Sequence, residues 1–547
     1  MSLTHLVSTI RFQKSLESQD PKKVPPKVPY WTPFVCHMIS LMRTPAPFAD
    51  DLMKKYGYNI PLSIQAGLMK LCFVSSPEQI QTIFKDSKSL SSKPSTLYCL
   101  KNIIDTPPEV LPYYAADDSG MANKIRKGSV VTKQEERMHF WAAHTAQKYL
   151  SGQTLLSVSE RYISTLDRNL EALNIGNDWV EVPDLLKFLQ DEITSSTIEA
   201  LMGSHVLRLN PTLVQDFWEF DYNMPNYVRG LPRWLVPSAF KVRDRMIASM
   251  KKWHLFAHEH SDVSKIAPDD PDWDPYFGTK LVKARLFYGM NNKHTNAASR
   301  ASEDVGLILA GNANVIPSLF WYIYEALKDR TLQDRLMKEV SPCISEQGQL
   351  DIVQVTSQPL LQSVFAETLR LRVAITMTRT AEYSDYQLGS YKIKKDIPLV
   401  IFSRTAALNA EGWTNAGREP VVPLEKFWAE RFLVKPGQKI SKTDPELSYA
   451  KAQGSAEQTM AGSEKESNFS IEGLAGCWLP FGGGQRMCPG RHLAKHEIIG
   501  SFALLFSKYE IEMIDNGLGE PKPDMRWYPM GGLPPMEKFP FRIRKRT

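Results

Sequence analysis

A chain of 547 residues with 43% hydrophobic and 23% charged residues has an ordinary globular composition, long enough for a large core and more than one domain. Its net charge of +6 is scattered rather than gathered into a tail or stripe, which argues against a nucleic-acid partner. The six cysteines (Cys36, Cys72, Cys99, Cys343, Cys477 and Cys488) form no CxxC pair, so neither a disulfide framework nor a zinc site is indicated. The set suits a reducing compartment, with most members expected as buried, inert thiols.

Along the chain the pattern is mixed α and β with helix dominant. The opening MSLTHLVSTIRFQKSLESQDPKK places Arg11, Lys14, Glu17 and Asp20 where a membrane span needs about 20 apolar residues, so it is not read as one. The following KVPPKVPYWTPF, with Pro25, Pro26, Pro29 and Pro33, is predicted stiff and extended, a hinge within an N-terminal segment at residues 1–45. A helix is predicted over 46–56, strands near 61–74, a helix over 77–86, and helical stretches over 133–173, 181–203 and 236–258. The connector MPNYVRGLPRWLVPSAF reads either as a covered loop or as a lipid-facing patch.

Residues 302–328 read as one long helix of roughly 40 Å. Ser302 with Glu303 and Asp304 is the expected N-terminal cap, and Pro317 is expected to bend the helix from within. Residues 434–474 are too polar to bury a core and read as a surface insertion in a domain spanning 46–547. The C-terminal FPFRIRKRT alternates Phe541 and Ile543 with arginines, as an edge strand does.

The most informative stretch is FGGGQRMCPG, Phe481 to Gly490. A buried thiol has no need of Gly482, Gly483, Gly484 and Gly490; glycines are wanted where backbone takes unusual dihedrals or approaches a flat object closely. Cys488 precedes the helical pattern of RHLAKHEIIGSFALLF, so exposed N–H groups and the helix dipole are expected to favour its thiolate. A thiolate ligand to haem iron fits this setting. A cysteine hydrolase would need a His and Asn/Asp constellation that is not visible.

The stretch resembles the cytochrome P-450 haem-binding signature FxxGxRxCxG at Phe481, Gly484, Arg486, Cys488 and Gly490. The resemblance implies a mainly α fold with smaller β-sheets, a single triangular haem domain with a long central distal helix. It implies haem b held by Cys488, with Arg486, Arg379, Phe481, Gly482 and Gly490 around it. FAETLRLR is similar to the family's ExxR at Glu367 and Arg370, and FWAERF to its FxPERF at Arg431, with Ala429 in place of proline. These three charges are expected to hold the fold rather than do chemistry. The family's WxxxR is incomplete, since Trp141 is followed by Thr145.

On the distal helix the family pattern [AG]Gx[DE]T is replaced by AGNAN, so the resemblance carries the catalytic positions to Ala310, Gly311 and Asn314 without the acid–alcohol pair. NVIPSLFW, Asn314 to Trp321, resembles the sterol 7α-hydroxylase and prostacyclin synthase branch, one a monooxygenase and the other an isomerase. The leading expectation is therefore a monooxygenase using dioxygen, an NADPH-cytochrome P-450 reductase and an apolar substrate such as a steroid, terpenoid or lipid. An isomerase or dehydratase needing no reductase is the alternative, and an inactive haem-binding relative a third. Val373, Ile375, Met377 and Leu533 are expected to line the substrate space. Localisation at the cytoplasmic face of the endoplasmic reticulum membrane is implied, through apolar segments near Tyr30–Met42 and Leu231–Pro237 or an anchor outside this sequence.

Overall fold

The computed structural model describes residues 3–43, 45–263, 266, 270–435, 467–515, 517 and 519–546. They gather into two compact units, each assembled from several chain segments. One holds residues 1–94, 362–487 and 525–531; the other holds 95–361, 488–524 and 532–547.

In the first unit the β-branched run VAITMTRTA forms the nine-residue strand Val373–Ala381. It pairs antiparallel with Pro398–Phe402, which places Met377 opposite Ile401 and Arg379 opposite Leu399. Pro398–Phe402 continues in parallel to Met69–Phe73, which forms a hairpin with Leu62–Ala66. Ile80 and Ile83 of the Pro77–Lys85 helix pack with Leu399, Ile401 and Leu479 to make this unit's core. The proline-rich segment is extended as expected, but it lies against the sheet: Val28 N donates to Ser63 O (3.0 Å) and Ser63 N to Pro26 O (2.9 Å). A helix the sequence did not announce, Leu3–Glu17, precedes it and buries Ser8 and Phe12.

The same unit contains a fully buried charge cluster. Glu367 accepts two bonds from Arg370, Nε to Oε2 (2.7 Å) and Nη2 to Oε1 (2.9 Å), and one from Arg431 Nε (2.9 Å). Trp428 N adds a fourth donor at 3.0 Å. Arg431 spends its other nitrogens on the carbonyls of Val422, Pro423 and Lys426, and Ser363 Oγ donates to Ala429 O, where the family motif has proline.

The second unit is helical, apart from a three-stranded sheet and the short pair Trp273–Asp274 with Gly278–Thr279. Gly152–Ala172, Leu185–Met202, Val315–Lys328 and Arg491–Lys508 pack on one another. Every residue from Val315 to Ala326 is buried, which explains why VIPSLFWYIYEA is apolar all round. Ala297–Lys328 is, among the described residues, the one helical stretch long and apolar enough to cross a membrane, and most of it is buried in the core.

Three expectations change here. The long helix starts at Ala297, not Ser302, because Asn296 and Ser299 form a reciprocal capping box. Glu303 and Asp304 are thus within the helix, with Asp304 paired to His254 (2.8 Å). The helix also breaks instead of bending: Ala297–Asn312 stops and Val315–Lys328 begins, because Pro317 cannot donate to the Ala313 carbonyl. The C-terminal strand Phe541–Lys545 is the middle of its sheet, not an edge, between Tyr509–Met513 and Val180–Val182. Its arginines are satisfied sideways, Arg542 by Glu512 (2.8 Å) and Arg544 by Glu510 (2.7 Å). The predicted insertion lies outside the described residues except at its ends, where Leu433–Val434 pairs with Asn468–Phe469.

Removing the acceptor at the buried cluster leaves two guanidinium groups without compensation. Glu367→Ala is expected to lower the unfolding free energy by ~3–5 kcal/mol. A denaturant midpoint equal to the parent's would contradict that.

Candidate active site

In the first unit the loop from Phe481 rests on the Pro77–Lys85 helix. Gly484 has a φ of +68°, and a Cβ there would lie 2.4 Å from the Phe84 carbonyl oxygen. At Gly483 a Cβ would sit 2.3 Å from the Phe84 ring. These glycines are therefore required by packing within the protein, a reason the sequence reading did not supply. Gly490, by contrast, would bring a Cβ only to ordinary contact with Cys488 Sγ at 3.8 Å.

Arg379, on Val373–Ala381, is directed at this loop. Its guanidinium donates to Gly483 O (3.1 Å) and Thr378 O (2.8 Å) and lies 5.3 Å from the Phe84 ring centre. Burial, followed by the like charge of Arg486, pushes its pKa down to about 10. Among the described residues no carboxylate forms an ion pair with Arg379. Arg379, a buried cation with no carboxylate paired to it among the described residues, suits an anionic group, and haem carries two carboxylates.

In the second unit Cys488 stands ahead of the Arg491–Lys508 helix, half-buried. Burial pushes its thiol pKa up, while the N–H of Gly490, the charge of Arg491 and the N–H of Arg491 pull the other way. The expected lowering by the helix start is present but is outweighed by desolvation. Cys72 and Cys477 are pushed up to about 12 and Cys343 to about 11 by burial, as inert thiols are. Cys99 is exposed and Cys36 half-buried, unlike the buried default.

The central helix leaves one stripe uncovered. Ala310 and Asn314 are exposed and Gly306 and Leu307 partly so, whereas Val305, Ile308 and Asn312 are buried. That spacing follows one helix face, so a core helix presents a wall to open space, with a small residue and an amide on it. Gly311 is turned elsewhere: a Cβ there would meet Thr197 and Leu201 of the Leu185–Met202 helix at 3.5 and 3.6 Å. Asn314 is held at the break, its Oδ1 accepting from Gly532 N at 2.7 Å. Trp321 Nε1 donates to Leu533 O (2.7 Å), one residue further on. The Leu533 side chain is fully buried, so it belongs to the core and not to a substrate wall; Val373 and Met377 are also buried, and only Ile375 is half-open.

Sequence reasoning passed over Arg137. All its donors are used on the 119–123 turn and its surroundings: Ser119 Oγ, Gly120 O, Ala122 O, Asn123 O and Gln134 Oε1. The signal was an arginine four residues before Trp141, the reverse of the family spacing. Trp141 itself donates to Gln134 O (2.8 Å) and stacks on Tyr288 at 3.7 Å. Glu303, expected at a helix cap, instead accepts the Tyr114 hydroxyl and lies 3.9 Å from Arg285 Nη2.

Comparison with known proteins shows the family of this chain. The cytochrome P450 family model matches residues 206–537. The cytochrome P450 monooxygenase fsoE of Humicola fuscoatra is 32% identical over 539 residues, covering 96% of this chain and 88% of the relative. The cytochrome P450 monooxygenase efuG of Hormonema carpetanum is 30% identical over 562 residues, covering 100% and 94%. Cytochrome P450 7A1 of Rattus norvegicus is 24% identical over 433 residues, covering 73% of this chain and 74% of its own, in line with the sterol-branch likeness of NVIPSLFW. With its mainly helical fold, its cysteine loop and full-length relatives of that name, this chain belongs to the cytochrome P450 family and is a haem-thiolate monooxygenase.

Proposed function

We propose that this protein oxidises an apolar small molecule, a steroid, terpenoid, lipid or other secondary metabolite, with dioxygen and electrons from NADPH delivered by an NADPH-cytochrome P-450 reductase. Haem b bound through the Cys488 thiolate would supply the oxygen-activating chemistry. The observation that carries the reading is the pair Arg379 and Arg486, cations brought together beside the cysteine loop with no acid paired to Arg379 among the described residues. Their charges suit the two propionates, and Phe481, Gly482 and Gly490 frame the loop.

Around that group each residue has a physical task. The N–H groups of Gly490 and Arg491 stabilise negative charge on the sulfur. Ala310 keeps the open stripe narrow enough for a flat ligand to approach the helix. Gly311, turned to its neighbour, lets two helices close up. Asn314 has committed its oxygen to Gly532, so its Nδ2 donors remain for an oxygen-bearing group on the open side. A reductase-free isomerase rests on the missing acid–alcohol pair alone, and relatives named monooxygenases favour oxygenation. The purified protein is expected to give a carbon monoxide difference band at the thiolate position, lost in Cys488→Ser, and to oxidise NADPH only with reductase present. Substrate conversion without reductase or NADPH would overturn the oxygenase reading.

Asn314→Asp keeps the acceptor for Gly532 but removes the donors. It is expected to reduce coupling of NADPH oxidation to product several-fold with the fold intact. Unchanged coupling would confine Asn314 to its structural bond.

Association with a membrane surface is part of the same proposal. Leu3, Leu6, Val7 and Ile10 form an exposed apolar face opposite buried Ser8 and Phe12, and in the same unit Phe34 is 88% and Trp31 59% exposed. In the other unit Trp234 and Leu235 are exposed within the predicted connector. Phe34→Ser is expected to weaken flotation with phosphatidylcholine vesicles about tenfold, from the ~1.5–3 kcal/mol of burying such a side chain; equal flotation would sink the assignment of this face.

A further inference from the structure

The second unit contains a recess of about 370 Å³, walled by residues 101–111 on one side and 227–243 on the other. Its lining is divided in character. Leu111, Tyr227, Leu231 and Phe240 make an apolar wall, while Thr106 and Arg243, 3% and 2% exposed, are the buried polar residues of the lining. Each of these two has a buried atom without a hydrogen-bond partner, Thr106 Oγ1 and Arg243 Nε. The rest of the guanidinium is engaged: Nη1 donates to Asn102 O (2.9 Å) and Nη2 lies 2.7 Å from Asp105 Oδ1. Lys101, also on this recess, forms no ion pair among the described residues. Two cations against one carboxylate leave the recess net positive.

Buried polar groups are nearly always paired, and an orphaned one costs stability until a partner arrives. Here two orphaned donors belong to residues that line one positively charged recess. An acceptor-only, anionic group satisfies both at once, whereas a hydroxyl or amine brings a competing donor.

We propose that this recess binds the carboxylate of an otherwise apolar molecule. One carboxylate oxygen accepts from Arg243 Nε and the other from the Thr106 hydroxyl. Lys101 adds charge, and the Tyr227–Phe240 wall takes the carbon skeleton. The position bears on the substrate, because Ile104 of the same segment packs on Gly306 of the central helix: a Cβ at Gly306 would lie 3.6 Å from Ile104 Cδ1. Gly306 belongs to the open stripe of Ala310 and Asn314. The inference narrows the substrate class to apolar carboxylic acids, and it rests on the oxygenase reading only for the fate of the bound molecule.

The test is calorimetric binding of dodecanoic acid and of its methyl ester to the haem-loaded protein. The acid is expected to bind roughly tenfold or more tightly than the ester, as a charge-assisted pair of bonds allows. Thr106→Val and Lys101→Ala are each expected to weaken the acid several-fold and leave the ester unchanged. Arg243→Lys, which keeps the charge without the guanidinium fork, is expected to do the same. An acid that binds no better than the ester, absence of binding by both, or indifference of acid binding to Thr106→Val and Lys101→Ala overturns the proposal and leaves the recess to ordered water. The carbon monoxide band, recorded on the same samples, separates the two readings. Acid preference without the band retires the oxygenase assignment alone; the band without acid preference retires the carboxylate site alone.

Discussion

The Glu367 carboxylate, with no exposure to solvent, is the constraint on which the first unit turns. A buried carboxylate is tolerable only when its lone pairs are filled, and here the donors come from Arg370, Arg431 and Trp428. The segments that supply them cannot shift independently. The Pro359–Arg372 helix runs straight into the strand Val373–Ala381, which carries Arg379 to the Gly483 carbonyl. The Gly483 carbonyl of the cysteine loop is thus met by a strand that continues directly from the helix carrying this charge cluster.

The central helix is governed by a different conflict. An apolar helix is interrupted by Pro317, and the residue at the interruption must tie up loose polar ends. Asn314 does so twice, its carbonyl accepting from Ser318 Oγ (2.7 Å) and its side chain from Gly532 N (2.7 Å). Trp321 then pins Leu533. Much of NVIPSLFW is accounted for by this clasp: an amide at the break, a proline that makes it and an indole that anchors the returning chain. Asparagine in place of threonine at this point has a structural use, since its side-chain oxygen holds Gly532.

Legibility in the sequence followed the range of the interaction. Glu367 with Arg370 could be read because residues three apart share a helix face, and the cysteine loop because its glycines, arginine and thiol are neighbours in sequence. Ser302 was expected as the cap because the acids that follow it suit a helix start. His254 decides otherwise by burying Asp304 inside the helix. The alternation in FRIRKR could not show that Glu510 and Glu512 would stand beside the arginines and make the strand central. Leu533 was expected on a wall for its apolarity, which a core residue shares.

By itself the sequence determined the family, the mainly helical class and the cysteine loop, since each rests on contacts a few residues apart that survive in a linear pattern. Only the tertiary structure decided which side chains have committed their polar atoms and which have not. Asn314 meets Gly532 across 218 positions and Arg379 meets Gly483 across 104, while Thr106 and Arg243 line one recess with an unmet bond each. Satisfaction of a buried polar group depends on what folding brings beside it, and that neighbour is seldom written nearby in the chain.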